Sequence, residues 1–560
     1  MTLKQFRVSR RGLLAGIGLL LSVAILTSCS SRSTPSQTSN KPQKEMIVRM
    51  TQAWPVKLDP AMGYDNASSV AYANLYDTLV MVDPDGTIKP WVAKSWDYDA
   101  TSKTYTFKLE KGIKFHNGDT LTAADVVFSA KRMLTIGGGW AFVFKNVIKD
   151  VVAEGEDTVK FILTGDYGPF LKTLVHLPIL NQKQVMANIK KDGTYGEFGD
   201  YGKEWLVTHD AGSGPYMVKE MKTSEYLSAV RFPDYWKGVE NGSPESFKII
   251  GTTEAATVRT LMSRKELEIT DEWQTAEAYS KLKELPGVKV ADFVSGGLMI
   301  FHFNTSKKPL DDVHVRRALQ YCFDYDSALK IFPGGKLTSG PVGSALPGYD
   351  ASLPKFRQNL DKAREELKQS KYKDTIGNYE IELAWTAEVP DEEKVALLLQ
   401  SNAEQLGIKI KVTKGPWLTW LDKVRKPETT PHIFTRVQTS ISFPEAGAIL
   451  DYFRSTARGQ PTNCHWFADN VQKEIDTLVG DALATMDTNA RYEKYKTITR
   501  KIVDLASDIW VVELPQRQAY QADYLIWPAA QAAEKGEPVN TLVGLRTYFR
   551  DMRLVPEKMP

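Results

Sequence analysis

Residues Tyr105 to Ser129 read YTFKLEKGIKFHNGDTLTAADVVFS, and this segment carries the clearest folding signals in the chain. Thr104–Leu109 (TYTFKL) alternates apolar and polar residues with a period of two, which predicts a half-buried strand. Residues 115–119 (FHNGD) predict a turn, because glycine tolerates backbone conformations that other residues resist. Thr122 followed by Asp125 is typical of a helix start, and apolar residues at helical spacing follow. A strand, a turn and a helix in such a short segment indicate a mixed α/β protein.

The same mixture of elements continues on both sides of this segment. A strand is predicted over residues 46–50 (MIVRM), and a helix over residues 391–406 ends at Gly407 and precedes the alternating strand 408–412. Further helical patterns occupy residues 361–367, 474–484 and 491–506. Because single cores stop growing at about 250–300 residues and this chain has 560, at least two lobes are predicted.

The N-terminus has the pattern of an export signal. A basic start over residues 4–11 precedes the apolar run 12–26, which is shorter than the roughly 20 residues that a membrane span requires. Small residues then lead to Cys29, and the pattern resembles a bacterial lipoprotein signal peptide, which predicts that Cys29 is lipidated. Residues 30–44 contain almost nothing apolar and predict a disordered tether. An ordinary secretory signal and a twin-arginine signal remain alternatives.

The charge pattern argues against nucleic acid as a partner. The formal net charge is +3, but residues 1–28 contribute four positive charges and no negative ones, so the remainder of the chain is close to neutral. Lysine and glutamate are interspersed along it, which leaves no basic patch. Besides Cys29, the chain contains Cys322 and Cys464, which we expect to be separate buried thiols. Export would also permit a disulfide between them.

No motif predicts catalysis, a cofactor or a metal centre. The sequence has no Gly-x-Ser-x-Gly elbow and no His-Glu-x-x-His helix, and its seven histidines are scattered. His302 and His314 support only a weak metal hypothesis. Residues 137–140 (GGGW) are not followed by the lysine of a phosphate loop, so they predict a flexible surface turn. An exported hydrolase stays as a remote alternative, since carboxylates are abundant in any globular protein.

Several sequence blocks occur in an order that carries a family resemblance. They are Leu58-Asp59-Pro60, 74–79, 105–129, 212–216, 233–236, 301–329, 340–342, 404–408 and 487–495. Together they resemble the extracytoplasmic solute-binding proteins of family 5, the dipeptide, oligopeptide and nickel class that supplies ABC importers. The resemblance extends from Met46 to about Trp527.

This resemblance implies an α/β fold of the periplasmic-binding-protein type, with two hinge-joined lobes, a ligand cleft and an extra inserted subdomain. The expected divisions are a signal peptide at 1–28, a lipidated tether at 29–44, lobe I at 45–79, 212–294 and 514–560, the inserted subdomain at 80–211, and lobe II at 295–513. It also implies a monomeric, non-catalytic receptor that delivers a small solute to an ABC permease. The expected location is the outer face of the cytoplasmic membrane, where the lipid anchors it.

The nature of the solute is left open by the sequence. In peptide-binding members of this family, a segment of the second lobe resembles Trp-x-x-Asp-Tyr-x-Asp-Pro. A carboxylate of that segment lies against the free ammonium group of the peptide. Here residues 435–445 read TRVQTSISFPE, in which a neutral residue replaces the first aspartate and Glu445 follows Pro444. A neutral side chain does not form the charge-assisted bond that an ammonium favours. A peptide or peptide-like solute, an oligosaccharide, and nickel or a metal complex therefore remain alternatives.

The 13 tryptophans supply further candidates for the site. Trp54 and Trp273 each follow a predicted strand and precede a polar loop, where clefts of α/β lobes collect ligand-binding residues. We expect core positions for Trp91, Trp96, Trp236, Trp417, Trp420 and Trp510. The candidate ligand-binding residues are Trp54, Asn66, Trp273, Ser442, Phe443, Glu445 and Trp466.

Overall fold

The computed structural model describes residues 44–53, 56–438, 441–468 and 471–560. The signal peptide, Cys29, the tether up to residue 43, and Trp54 lie outside the described residues, so these predictions stay predictions. Residues 45–560 form one compact unit of mixed helices and strands. None of the helices in the described ranges is long and apolar enough to cross a membrane.

The strands are β1 Ile47–Gln52, β2 Val80–Val82, β3 Ile88–Pro90, β4 Ala93–Asp99, β5 Thr104–Leu109, β6 Ile148–Ala153, β7 Thr158–Leu163, β8 Tyr216–Lys222, β9 Tyr226–Arg231, β10 Ser246–Gly251, β11 Val288–Phe303, β12 Glu380–Thr386, β13 Lys409–Gly415, β14 Ile433–Gln438, β15 Asp508–Gln521, β16 Leu525–Ile526 and β17 Arg553–Leu554. The helices are α1 Asn66–Leu75, α2 Ala123–Ile136, α3 Ala141–Phe144, α4 Phe170–Thr173, α5 Gln182–Ala187, α6 Ala255–Ser263, α7 Ala276–Lys283, α8 Val313–Cys322, α9 Tyr325–Ile331, α10 Leu360–Gln369, α11 Asp391–Glu404, α12 Trp417–Lys423, α13 Gly447–Leu450, α14 Gln472–Ala484, α15 Thr488–Asp504, α16 Pro528–Lys535 and α17 Val543–Arg546.

The segment with the clearest sequence signals folds as predicted. Strand β5 alternates buried and more exposed residues along its length, so one face packs on a core. Thr122 caps α2, and the Asp125 carboxylate accepts hydrogen bonds from both the backbone N–H and the hydroxyl of Thr122, each at 2.9 Å. Helix α2 ends at Gly137, whose φ of 72° is in the left-handed region that glycine favours.

Three larger sheets organise the described chain. The first has the order β1-β10-β9-β8, with β1 parallel to β10 and the other neighbours antiparallel. The second has the order β13-β12-β14-β11-β15, and the third, β4-β5-β7-β6, is antiparallel throughout. Strand β12 is parallel to both of its neighbours.

Strands β11 and β15 link the second sheet to the first. Their antiparallel register runs from Val288 opposite Gln521 to His302 opposite Asp508, with irregularities between Val294 and Gly297 and between Met299 and Ile300. Ile269 forms bridges to both Met50 of β1 and Tyr520 of β15. The strand pair therefore extends from the second sheet to the edge of the first.

Separate cores cover these sheets. In β11, Met299 and Phe301 belong to one buried cluster, whereas Leu298 and Ile300 belong to another, because successive strand residues point to opposite faces. The third sheet packs in its own cluster around Phe107. Cys322 and Cys464 are free and buried, as predicted.

Candidate functional site

Segments that are far apart in sequence meet around one large cavity of about 1510 Å³. One group of lining residues comes from the loop before α1, the turn after α2 and residues 193–207. The opposite group comes from α11, α12, β14 and residues 442–462. A pocket that draws on many elements and combines apolar with a few polar groups is the usual form of a ligand site.

The loop before α1 is held rigidly at the first wall. The Asp59 carboxylate accepts two hydrogen bonds from the Arg132 guanidinium, both at 2.7 Å, and both side chains are buried. The Tyr72 hydroxyl donates to the Asp59 carbonyl at 2.7 Å, and the Tyr76 hydroxyl donates to the Leu58 carbonyl at 3.0 Å. These bonds fix the backbone that presents residues 56–66 to the cavity.

The glycine turn after α2 packs beneath this loop, so the prediction of a flexible surface turn is wrong. A Cβ atom on Gly138 would lie 2.5 Å from the Ala61 carbonyl oxygen. Gly139 has a φ of +55°, and a Cβ there would lie 2.5 Å from the Pro60 carbonyl oxygen. Only glycine permits so close a backbone approach.

The turn ends in an aromatic group that faces the cavity. The rings of Trp140 and Phe142 are 5.5 Å apart, and Tyr64 lies 6.3 Å from Trp140 and 6.4 Å from Phe142. Trp140 is in turn stacked on His176 at 3.9 Å, and burial lowers the pKa of His176 to about 3. Large apolar side chains that are exposed and also line the cavity are Met62, Tyr64, Phe142, Val207 and Leu418. Such a cluster of exposed apolar surface marks a binding region.

The opposite wall contains two acidic groups, the buried Glu392 and the half-exposed Asp451. The Glu392 carboxylate accepts hydrogen bonds from the backbone N–H of Thr386 at 2.7 Å and of Val437 at 3.1 Å. Burial raises the pKa of Glu392 to about 8. Asp451 pairs with Arg454 at 3.1 Å, and desolvation in the cavity wall raises the pKa of Asp451.

A polar cluster at the end of β1 orients two of the predicted site residues. The Asp271 carboxylate accepts hydrogen bonds from the Thr51 hydroxyl at 3.0 Å and from the backbone N–H of Trp273 at 2.9 Å. The neighbouring Glu272 accepts a hydrogen bond from the Asn66 amide. Burial raises the pKa of Asp271 to about 6. Trp273 and Asn66 are thereby positioned at the cavity, which both residues line.

The structure brings together four of the residues proposed from the sequence. Asn66, Trp273, Ser442 and Phe443 all line the cavity. Ser442 and Phe443 are 5% and 2% exposed, so they contribute small surfaces to its wall. Trp417, which was expected only in the core, also lines the cavity.

Trp466 and Glu445 lie behind this wall. Trp466 packs edge-on against Phe453 at 5.4 Å between ring centres. Glu445 is fully buried, and its carboxylate contacts the Arg491 guanidinium at 3.0 Å and the Lys172 ammonium at 2.9 Å. Burial alone would raise the pKa of Glu445, but Arg491 and Lys172 hold it below its ordinary value.

Sequence reasoning missed the residues Tyr64, Trp140, Glu392 and Arg436, which also line the cavity. A signal was present for Trp140, because three consecutive glycines before a tryptophan fit a close backbone approach as well as a surface turn. Glu392 looks like an ordinary first-turn acid of α11, and nothing local marks it as buried. In the described residues, no group of three His, Cys, Asp or Glu side chains is arranged to hold a metal ion.

Comparison with known proteins places the chain in a family. Residues 87–460 match the family described as bacterial extracellular solute-binding proteins, family 5 Middle. The chain belongs to this family of extracellular solute-binding proteins. The probable D,D-dipeptide-binding periplasmic protein DdpA of Escherichia coli K12 is 30% identical over 84% of this chain and 89% of that protein.

Solved structures of similar proteins have the same fold. DppA from Helicobacter pylori, in complex with the peptide STSA, matches 91% of this chain and 98% of its own with a TM-score of 0.77 and 20% identity. The oligopeptide-binding protein AppA from Bacillus subtilis, in complex with a nonapeptide, matches 92% of this chain and 100% of its own with a TM-score of 0.76 and 21% identity. The predicted α/β fold of the two-lobe binding-protein type is confirmed.

Proposed function

We propose that this chain is the extracytoplasmic substrate-binding component of an ABC importer and that it captures a peptide or peptide-like solute in the large cavity. The observation that carries the proposal is the cavity itself, whose walls combine the aromatic group of Tyr64, Trp140 and Phe142 with the buried acids Asp59 and Glu392. The relative from Escherichia coli is described as dipeptide-binding, and the similar Helicobacter protein holds a peptide. Both descriptions support a peptide rather than a sugar.

The size of the cavity fits this class of ligand. Pockets for single small molecules occupy about 300–1,000 Å³, and this cavity is about 1510 Å³. A peptide of a few residues, with ordered water around its polar backbone, would fill such a space. Asn66, Trp273, Ser442 and Phe443 would contact it, and Trp54 is proposed beside them from the sequence alone. Glu445 and Trp466 would act from behind the wall.

The proposed cleft lies between the two lobes, with the divisions given above from the sequence. Closure of the lobes would add contacts that exist only in the closed form, and those contacts would favour closure when ligand binds. An ABC permease would then recognise the closed form. We propose that the protein is a monomer without enzymatic activity, anchored through lipid on Cys29 to the outer face of the cytoplasmic membrane.

A thermal-shift screen of the purified full-length chain tests this function. Defined mixtures of di- to hexapeptides should raise the melting temperature, since a ligand at 100 times its Kd adds about 2.7 kcal/mol of stability. Cello- and manno-oligosaccharides serve as the contrasting arm, because the aromatic group could also stack on sugar rings. A shift with an oligosaccharide and none with any peptide would refute peptide capture. Chromatography of the peptides after incubation would reveal hydrolysis if the protein were an enzyme.

A further inference from the structure

A short segment beside the third sheet packs against the core of the second sheet. This bridging segment, residues 167–175, follows β7 and contains α4. Its Tyr167 and Val175 pack against the buried cluster of the third sheet and also against the cluster that contains Leu298 of β11. Tyr167 lies edge-on to Phe443, with 6.4 Å between the ring centres. The bridging segment therefore joins two separate cores.

Polar contacts hold the bridging segment at two points. The Lys172 ammonium lies 2.9 Å from the Glu445 carboxylate, and the exposed fractions of these side chains are 15% and 0%. The backbone N–H of Gly168 donates a hydrogen bond of 2.8 Å to the Leu483 carbonyl. Glu445 also pairs with Arg491 at 3.0 Å. Lys172 thus adds a second, largely shielded charge to a carboxylate that is already paired.

The chain segments approach so closely at Gly168 that a side chain would separate them. A Cβ atom there would lie 2.4 Å from both the Thr485 carbonyl oxygen and Nη1 of Arg491. The φ of Gly168 is outside the left-handed region, so its own backbone would accept alanine. Gly165, in the same loop, is also outside that region, and a Cβ there would meet no described atom within 4 Å. G168A and G165A are therefore matched variants, and only the first disturbs the contact.

The contact borders the cavity without providing its inner surface at the ion pair. Tyr167, Phe443 and Leu483 line the cavity. Neither Lys172 nor Gly168 is one of the described residues that line it. By the divisions proposed from the sequence, the bridging segment belongs to the inserted subdomain and its partners belong to lobe II. A rotation that separates the lobes would then break the ion pair and the hydrogen bond, so both belong to the closed form.

We propose that Lys172 is a positioning residue for solute capture, because its pair with Glu445 holds the bridging segment on lobe II and so favours the closed form. This inference rests on the proposed function and concerns the regulation of the same site. A solute that binds the closed form has an apparent affinity that depends on how readily the protein closes. A contact outside the cavity changes this affinity by one factor for every solute, whereas a cavity residue changes it according to the solute that it touches.

The variants at the ion pair are chosen so that the fold survives. In K172M the Glu445 carboxylate keeps its pair with Arg491, so the buried carboxylate remains paired. K172R keeps the charge and serves as the rescue. Lys111 forms an exposed pair with Asp157 at 3.1 Å, so K111M controls for the loss of one lysine.

The test combines calorimetry with small-angle X-ray scattering of the full-length chain, freed of ligand by refolding. The tripeptides Ala-Ala-Ala, Ala-Phe-Ala and Ala-Lys-Ala are titrated into each variant. We expect K172M and G168A to weaken the binding of all three by one common factor of about fivefold. K172R should recover most of this loss, and K111M and G165A should bind within about twofold of the parent. Without peptide, K172M and G168A should have a larger radius of gyration than the parent.

The outcomes separate this inference from the proposed function. Peptide binding that is unchanged in K172M and G168A leaves the proposed function standing and overturns the inference. A loss that differs from one tripeptide to another means that Lys172 acts on the solute directly, which also overturns it. A lower melting temperature of K172M with unchanged affinity and radius assigns Lys172 a purely structural role and overturns the positioning role.

Scattering without ligand decides the case in which no tripeptide binds. Expansion of K172M and G168A, but not of K111M and G165A, supports the role of the contact in holding the lobes together. An unchanged radius of gyration in all four variants overturns it. Binding of an oligosaccharide and of no peptide refutes peptide capture alone, since the common loss of affinity in K172M and G168A is then measured with that sugar.

Discussion

Replacing Glu445 by glutamine should destabilise the unliganded protein strongly. The change keeps the size of the side chain but leaves Arg491 and Lys172 without their shared carboxylate, which lies 3.0 Å from the first and 2.9 Å from the second. The hydroxyls of Tyr492 and Tyr495 also donate to this carboxylate, at 3.4 and 3.3 Å. Removing one partner of a buried ion pair costs about 3–5 kcal/mol, because the remaining charge is left buried and uncompensated.

The expected change in melting temperature follows from the size of the protein. Unfolding entropy is about 2 cal/mol/K per residue near 60 °C, so a unit of about 500 residues loses roughly 1 kcal/mol of stability per degree. A cost of 3–5 kcal/mol then lowers the melting temperature by about 3–5 °C. Differential scanning calorimetry of parent and variant, both freed of ligand by refolding, measures this shift. Glu537, which is exposed, provides the matched control as Glu537→Gln.

The same experiment separates two roles of Glu445. A carboxylate that serves only the ligand would leave the unliganded melting temperature unchanged when it is removed, and peptide binding would be lost. A melting temperature of unliganded Glu445→Gln within about 1 °C of the parent value, together with lost binding, would refute our reasoning and restore Glu445 as the partner of a peptide ammonium. The double change Lys172→Met with Glu445→Gln should recover part of the loss, because it removes one of the two orphaned cations.

Three other predictions concern the loop, the protonation state and the anchor. Gly139→Ala should lower both stability and ligand affinity, because its Cβ would meet the Pro60 carbonyl. Gly86→Ala is the control, since Gly86 also has a positive φ but a Cβ there would lie in open space. Equal effects of the two variants on binding would contradict the packing argument. Burial would lower the pKa of His116, but Asp210 raises it above its ordinary value of about 6.5. The charged pair of His116 and Asp210 therefore stabilises the fold fully below the ordinary pKa, and this stabilisation is lost as pH rises through the raised pKa. The difference in unfolding free energy between the parent and His116→Gln should shrink from pH 6 to pH 9. A difference that stays constant would argue against the charged pair. Cys29→Ser should abolish membrane attachment of the processed form, measured by fractionation and mass spectrometry, and an unmodified Cys29 in the membrane fraction of the parent would disprove lipid anchoring.

Local signals in the sequence predicted local structure well. The alternation of Thr104–Leu109 and the capping pair Thr122 and Asp125 act within a few residues, so the strand and the helix could be placed without knowledge of the fold. The family blocks then fixed the class of the fold, because their order reflects the whole topology.

The features that depend on distant segments were beyond such reasoning. Gly138 and Gly139 looked like a surface turn because the carbonyls that cover them belong to Pro60 and Ala61, nearly 80 residues earlier in the sequence. The partners of Glu445 are 46 and 273 residues away, in Arg491 and Lys172.

The antiparallel pair of β11 and β15 has a mechanical consequence. Two adjacent strands with a register from Val288 to His302 resist stretching and sideways sliding, because either motion must break their ladder of hydrogen bonds along its length. Bending and twisting at the irregularity between Val294 and Gly297 break few of them. The pair of strands therefore resists translation of one sheet past the other but permits rotation, as a hinge does. If a ligand drew the two sheets together, the loss of conformational entropy on closure would be small, since the strands already confine the motion to a narrow arc.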